Sequence, residues 1–147
     1  MAEIRFIDCG ANIGQSIEWA RKKYPGCKID SFEPLPHNVD VLLEKYDEDD
    51  DVTIHPVAVW HTDGIAQFYP QNWGARTGSS LVKGKSSTDA SQAFSVNTIN
   101  LMQWIRENCD RDDRIILKLD VEGAEYEFLP AFLDSDVTYG IVTGKHL

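Results

Sequence analysis

The chain has 147 residues, 42% hydrophobic and 26% charged, a length at which one domain buries enough surface to need no disulfide or metal for its core. Lys and Arg number 14 against 24 Asp and Glu, a net charge of −10. That balance argues against a nucleic-acid backbone or an anionic membrane as the main partner, since both call for a basic face.

Residues 4–9 (IRFIDC) form a short apolar run that stops at Gly10 and read as a buried strand. A turn follows, Gly10-Ala11-Asn12-Ile13-Gly14. Ile13, Ile17, Ala20 and Tyr24 then recur at helical spacing, which predicts a helix over 15–24, ended by Pro25-Gly26. Residues 28–32 read as a second strand, closed by Glu33-Pro34. Val39, Leu42, Leu43 and Tyr46 mark a second helix. The consecutive acids Asp47, Glu48, Asp49, Asp50 and Asp51 after it read as a solvated loop.

Residues 52–60 predict a third strand interrupted near Pro56, which has no N–H for a ladder. The turn composition of His61-Thr62-Asp63-Gly64 predicts a hairpin over 57–69 attached to the same sheet. Residues 71–92 form a long loop rich in Gly, Ser, Lys and Thr. A short strand is predicted over 93–97, then a helix through Leu101, Trp104, Ile105 and Asn108, capped by Asn100 or Thr98. Residues 114–119 (RIILKL) are another apolar strand, closed by Asp120-Val121-Glu122-Gly123. A short helix over 124–129 and a last strand over 138–143 complete the pattern. Alternating strands and helices predict an α/β fold with a mostly parallel, doubly wound sheet.

No run of 18 apolar residues is present, and the N-terminus has no basic segment followed by an apolar one. Cys9, Cys27 and Cys109 are odd in number and lack metal spacing, so they read as reduced thiols. A cytoplasmic protein without a metal site is the expectation.

The unit over residues 4–24 has the logic of a ligand crevice, because ligands of open α/β sheets bind at the carboxyl ends of the strands. Gly10 and Gly14 let the backbone approach a ligand, and the helix N-terminus favours a carboxylate or phosphate. Glu33, at the end of the second strand, can accept both hydroxyls of a ribose. A dinucleotide site would use G-x-G-x-x-G, but here Asn12 replaces the middle glycine and Asp8 precedes the turn. An anionic side chain is unfavourable beside a pyrophosphate and favourable beside an ammonium. S-adenosylmethionine therefore fits these residues better than NAD. A plain strand-to-helix turn is the bland alternative. A second cluster, Lys118, Asp120 and Glu122, alternates along the later strand and shares one face if the strand continues. Such groups in an apolar strand are costly unless paired. They read either as a salt-bridged strand end or as chemistry in the same crevice.

FIDCGANIG, FEP, VAVW with DG and F, GSSL, VNTINL and LKLDVEGAEYEFL occur in the order in which the FkbM family carries them. The chain resembles that family over about residues 4–135. The resemblance implies a Rossmann-like, class I methyltransferase fold and S-adenosylmethionine-dependent O-methylation, often of a sugar or other small-molecule hydroxyl. Carried over by position, Asp8, Gly10, Asn12 and Gly14 resemble the methionine-side loop. Glu33 resembles the ribose ligand, with Pro34 and Leu35 beside the adenine and Ala58 and Val59 at its edge. Ser79 and Ser80 resemble a loop over the cofactor or acceptor. Asp120 and Glu122 resemble the acidic pair at the transfer point; they are the first candidates for the catalytic base, and Lys118 is expected as a partner that orients or activates. Asn100 stands where relatives usually carry an aspartate, which exchanges one capping side chain for another.

Relatives carry further strands after the last one predicted here. One domain over 1–147, C-terminally short, is therefore the expectation, with an open edge at 138–143 that invites a homo-oligomer. A truncated cofactor-binding remnant without activity and an NAD-dependent oxidoreductase are the competing readings.

Overall fold

The computed structural model describes residues 3–60, 62–68, 94–119 and, as backbone, 139–143. β1 (Ile4–Cys9) runs into α1 (Gln15–Lys23), β2 (Lys28–Phe32), α2 (Pro36–Tyr46) and β3 (Val52–His55). β4 (Ala58–Trp60), β5 (Gly64–Phe68), β6 (Phe94–Asn100), α3 (Leu101–Asn108), β7 (Arg114–Leu119) and β8 (Tyr139–Thr143) follow. The order β3-β2-β1-β7-β8 makes a five-stranded sheet, parallel at every pairing. This is the Rossmann-like, mostly parallel α/β fold expected of the sequence.

The period-2 alternation of strand side chains sorts the core into two layers. Phe6, Ile29 and Ile116 pack with Ile17 and Ala20 of α1 and Leu42 and Tyr46 of α2. Ile7, Cys9, Phe32, Ile115, Leu117 and Leu119 pack on the other face with Leu101 and Ile105 of α3 and Val59 of β4. Helices cover both faces, so the central strands read as continuous apolar runs. Each fully buried Ile, Leu or Phe contributes about 1.5–3 kcal/mol. α2 begins earlier than its apolar spacing indicates because Pro36 suits the first helical position. Asn100 caps α3, its side chain accepting from the Gln103 N–H at 3.1 Å.

The hairpin predicted over 57–69 does not form. β4 and β5 do not pair with each other; β6 lies between them in a separate three-stranded sheet, order β4-β6-β5. β4 pairs with β6 in parallel and β5 antiparallel to it, so Thr98 faces Ala58 on one side and Gly64 on the other. Thr98 Oγ1 also donates to the Thr62 carbonyl, and the Asn100 N–H donates to Asp63 Oδ1. β6, with seven residues, supplies ladder partners on both sides. A strand arriving from about thirty residues away thus displaces the local pairing. Predicted features in 71–92 and 124–129 lie outside the described residues. Among the described residues no helix is long and apolar enough to cross a membrane.

The acidic loop after α2 is anchored by one base in the last turn of α1 and another at the amino end of β2. Arg21 pairs with Asp49, and Lys28 pairs with Asp51 at 2.6 Å. It therefore lies at the end of the sheet opposite the turn after β1.

Candidate functional site

Three parallel strands carry a polar residue at the same height, one step before their carboxyl ends: Asp8, Ser31 and Lys118. All three are buried on the face covered by α1. Asp8 has no exposed surface. Its Oδ2 accepts from Ser16 Oγ of α1 at 2.6 Å and from Ser31 Oγ at 3.3 Å. Lys118 Nζ lies 3.2 Å from Asp8 Oδ1 and donates to the Gly10 carbonyl at 2.7 Å.

The turn above this row is fixed residue by residue. The Gly10 and Ala11 N–H groups donate to the Phe32 carbonyl at 3.0 and 3.1 Å. The Asn12 N–H donates to Glu33 Oε1 at 2.8 Å. Lys45 Nζ donates to the Ile13 carbonyl at 3.1 Å. Gly10, Asn12 and Gly14 have φ of +87°, +56° and +105°. That region suits glycine and tolerates asparagine, which explains Asn12 at the middle position. Gly14 has a second constraint, since a Cβ there would lie 3.1 Å from Tyr46 Oη. Gly14 is the N-cap of α1 and no side chain caps that helix, so its first N–H groups face the turn without a side-chain acceptor.

Glu33 closes the other wall. It is 5% exposed, and its Oε2 accepts from the Leu35 N–H at 2.9 Å. Burial pushes its carboxyl up to about 7, only partly offset by the bonds from Leu35 and Asn12, and the nearby charge of Asp8 adds to the rise. The Leu35 and Asn12 amides and the Asn38 side chain hold it, yet an ionised carboxylate accepts about four hydrogen bonds, so some acceptor capacity remains. Pro34 beside it is half-buried. Ala58 is buried against Leu35 and Val96, and Val59 is buried in the layer under α3.

The structure therefore brings Asp8, Gly10, Asn12, Gly14, Glu33 and Lys118 together around one turn, with Pro34 and Ala58 along its Glu33 side. Val59 points into the core. Ser79, Ser80, Asp120 and Glu122 lie outside the described residues. Lys118 sits beneath the turn, not on the crevice surface. Sequence reasoning missed Ser16, Ser31, Lys45 and Tyr46 as supports of the turn. A signal for Ser31 was present, because IRFIDC, KIDSF and RIILKL each carry a polar residue in their penultimate position.

A family model described as Methyltransferase FkbM domain matches residues 8–142. No curated protein and no solved structure matches the chain. With the parallel sheet, the turn and the match in agreement, the chain belongs to the FkbM family of methyltransferases.

Proposed function

We propose that the protein transfers a methyl group from S-adenosylmethionine to a hydroxyl oxygen of a sugar or other small molecule. The observation that carries the reading is Glu33: a carboxyl group buried at the carboxyl end of β2, held by the Asn12 and Leu35 amides and the Asn38 side chain, paired with no cation among the described residues, and with acceptor capacity left over. The residues present fit the donor. Glu33 would accept the ribose hydroxyls, the uncapped N-terminus of α1 would take the methionine carboxylate, and Pro34 with Ala58 would border the adenine. Asp8 supports the turn from below through Ser16 and Lys118. The donor supplies an electrophilic methyl on a sulfonium. The protein's part is to hold the acceptor oxygen near that carbon, at about 3–3.5 Å, and to take its proton. Asp120 and Glu122, which follow β7, are the proposed bases, and a positioned base contributes about 10²–10⁴-fold. The methyltransferase family match weighs against the NAD reading and supports this one.

Calorimetry tests the reading. Wild-type protein is expected to bind S-adenosylmethionine. Glu33→Ala should weaken binding by about a hundredfold, the value of two charge-assisted hydrogen bonds, with the far-UV circular dichroism unchanged. Absence of binding to folded wild-type protein would sink the proposal.

A further inference from the structure

We propose that Lys118 is a positioning residue for donor binding, which sets the shape of the first turn by holding the Gly10 carbonyl from a neighbouring strand. The inference rests on the reading of that turn as the donor site.

Gly10 is clamped on both sides of its Cα. Its N–H donates to the Phe32 carbonyl of β2, and its own carbonyl accepts from Lys118 of β7. Gly10 has φ of +87°, and the following residues reach Asn12 and Glu33 only if the chain leaves β1 at that angle. Lys118 is 3% exposed and comes from 108 residues further along the chain. It is bonded to the Gly10 carbonyl and lies beside Asp8, so its proposed route to the donor runs through Gly10.

The competing explanation is that Lys118 exists to neutralise Asp8, 3.2 Å away. Physical chemistry disfavours charge neutralisation as the sole purpose. Desolvating two ions offsets most of their attraction, and apolar residues of the same volume commonly do as well. A methionine and a leucine could fill this space. Neither could donate to the Gly10 carbonyl, which would then be left without this charge-assisted bond. β7 is also the strand that leads into Asp120 and Glu122. One strand would therefore fix the donor turn and carry the proposed bases, tying the positions of the two halves of the reaction to each other.

Lys118→Met leaves Asp8 charged and buried, and that variant can fail to fold for this reason alone. The double variant Asp8→Asn with Lys118→Met removes both charges, and its comparison with Asp8→Asn alone, which keeps the Lys118 bond to Gly10 but alters the Asp8 support through Ser16, decides the question. The double variant is expected to unfold in urea near the wild-type midpoint. In ligand-free protein its Gly10, Ala11 and Asn12 amides should nevertheless exchange with solvent about tenfold faster than in Asp8→Asn alone, and the Kd for S-adenosylmethionine should be about tenfold higher. The Ile29 amide, bonded to the Asp51 carbonyl at the far end of the sheet, should keep its protection. Exchange at the turn of the folded double variant no faster than in Asp8→Asn alone would overturn the proposal, leaving the pair a contribution to stability alone. Unfolding of the double variant would overturn it too, assigning Lys118 to the core. If wild-type protein binds no donor, the functional reading fails, and the exchange measurement still decides the role of Lys118.

Discussion

β2 and the residue after it carry two carboxylates of nearly equal burial, Asp30 at 7% and Glu33 at 5% exposure, whose protonation is driven in opposite directions. Burial pushes Asp30 up, but hydrogen bonds from His55 and Arg5 outweigh it and hold the group below its ordinary value. Its Oδ2 pairs with Arg5 Nη2 at 2.9 Å and its Oδ1 meets His55 Nε2 at 3.0 Å. Among the described residues Glu33 meets only amide donors, from the Asn12 and Leu35 backbone and the Asn38 side chain, and burial wins, to about 7. The difference lies in the partners and not in depth. A carboxylate answered by a guanidinium and an imidazole is complete within the protein, and here it ties β1, β2 and β3 together. A carboxyl group held by amides alone keeps hydrogen-bonding capacity that a ligand can still use.

Breaking each carboxylate sharpens the contrast. The largest effect is expected from Asp30→Ala. It leaves the mostly buried Arg5 with Asp113 at 3.8 Å as its remaining ion pair among the described residues and should cost about 3 kcal/mol in urea unfolding. Donor affinity should stay within about threefold, because Asp30 faces the α3 side of the sheet; a large loss of affinity would erase the distinction drawn here.

Glu33→Gln should show the opposite sensitivity to pH. The folded value of Glu33 lies above its ordinary 4.5, so the native state keeps a proton that the unfolded chain gives up. Its contribution to stability is full below about pH 4.5 and is lost as pH rises to about 7, by about 3 kcal/mol in all. The variant should therefore gain on wild type by that amount between pH 4.5 and 7.5 in urea titrations. A constant difference would show that Glu33 ionises normally. Asp30 has the reverse sign, contributing above the ordinary carboxylate range and losing that contribution on acidification below it. The smallest effect is expected from His55→Phe. Arg5 still answers the Asp30 charge and the ring still stacks on Phe32, 4.5 Å away, so the loss should be about 1 kcal/mol, one hydrogen bond. A loss as large as that of Asp30→Ala would make the histidine an equal partner of Arg5.

Much of the fold was legible because local signals agreed. Strands 4–9, 28–32 and 114–119 have the limits that their apolar runs and the following Gly, Pro or acidic residues indicate. The Asn100 cap of α3 was also readable from residue type. The failure was β4 and β5. Turn composition at 61–64 announces a reversal of the chain, but the partner of each strand is β6, and no local pattern encodes a pairing across about thirty residues. The site shows the same division. Gly10, Asn12, Gly14 and Glu33 could be named from spacing. That Asp8 is buried under α1, and that Lys118 meets the Gly10 carbonyl, follows from which face of each strand α1 covers. Face assignment depends on register, which becomes readable only once Asp8, Ser31 and Lys118 are aligned.

The place of β1 at the centre of the five-stranded sheet also sets the order in which the chain can fold. β2 becomes available soon after β1, but the other neighbour is β7, which ends at Leu119. At a synthesis rate of about 5–20 residues per second, the second edge of β1 stays open for roughly 5–20 s after Cys9 has been made. During that interval Phe6 and Ile7 lie on a nascent sheet with unfilled hydrogen bonds, the state most prone to pair with another chain. The Gly10 carbonyl waits equally long for Lys118. The turn after β1 therefore cannot take its final shape before β7 has been made, and a ribosome-bound chain shorter than about 120 residues lacks the Lys118 bond to the Gly10 carbonyl.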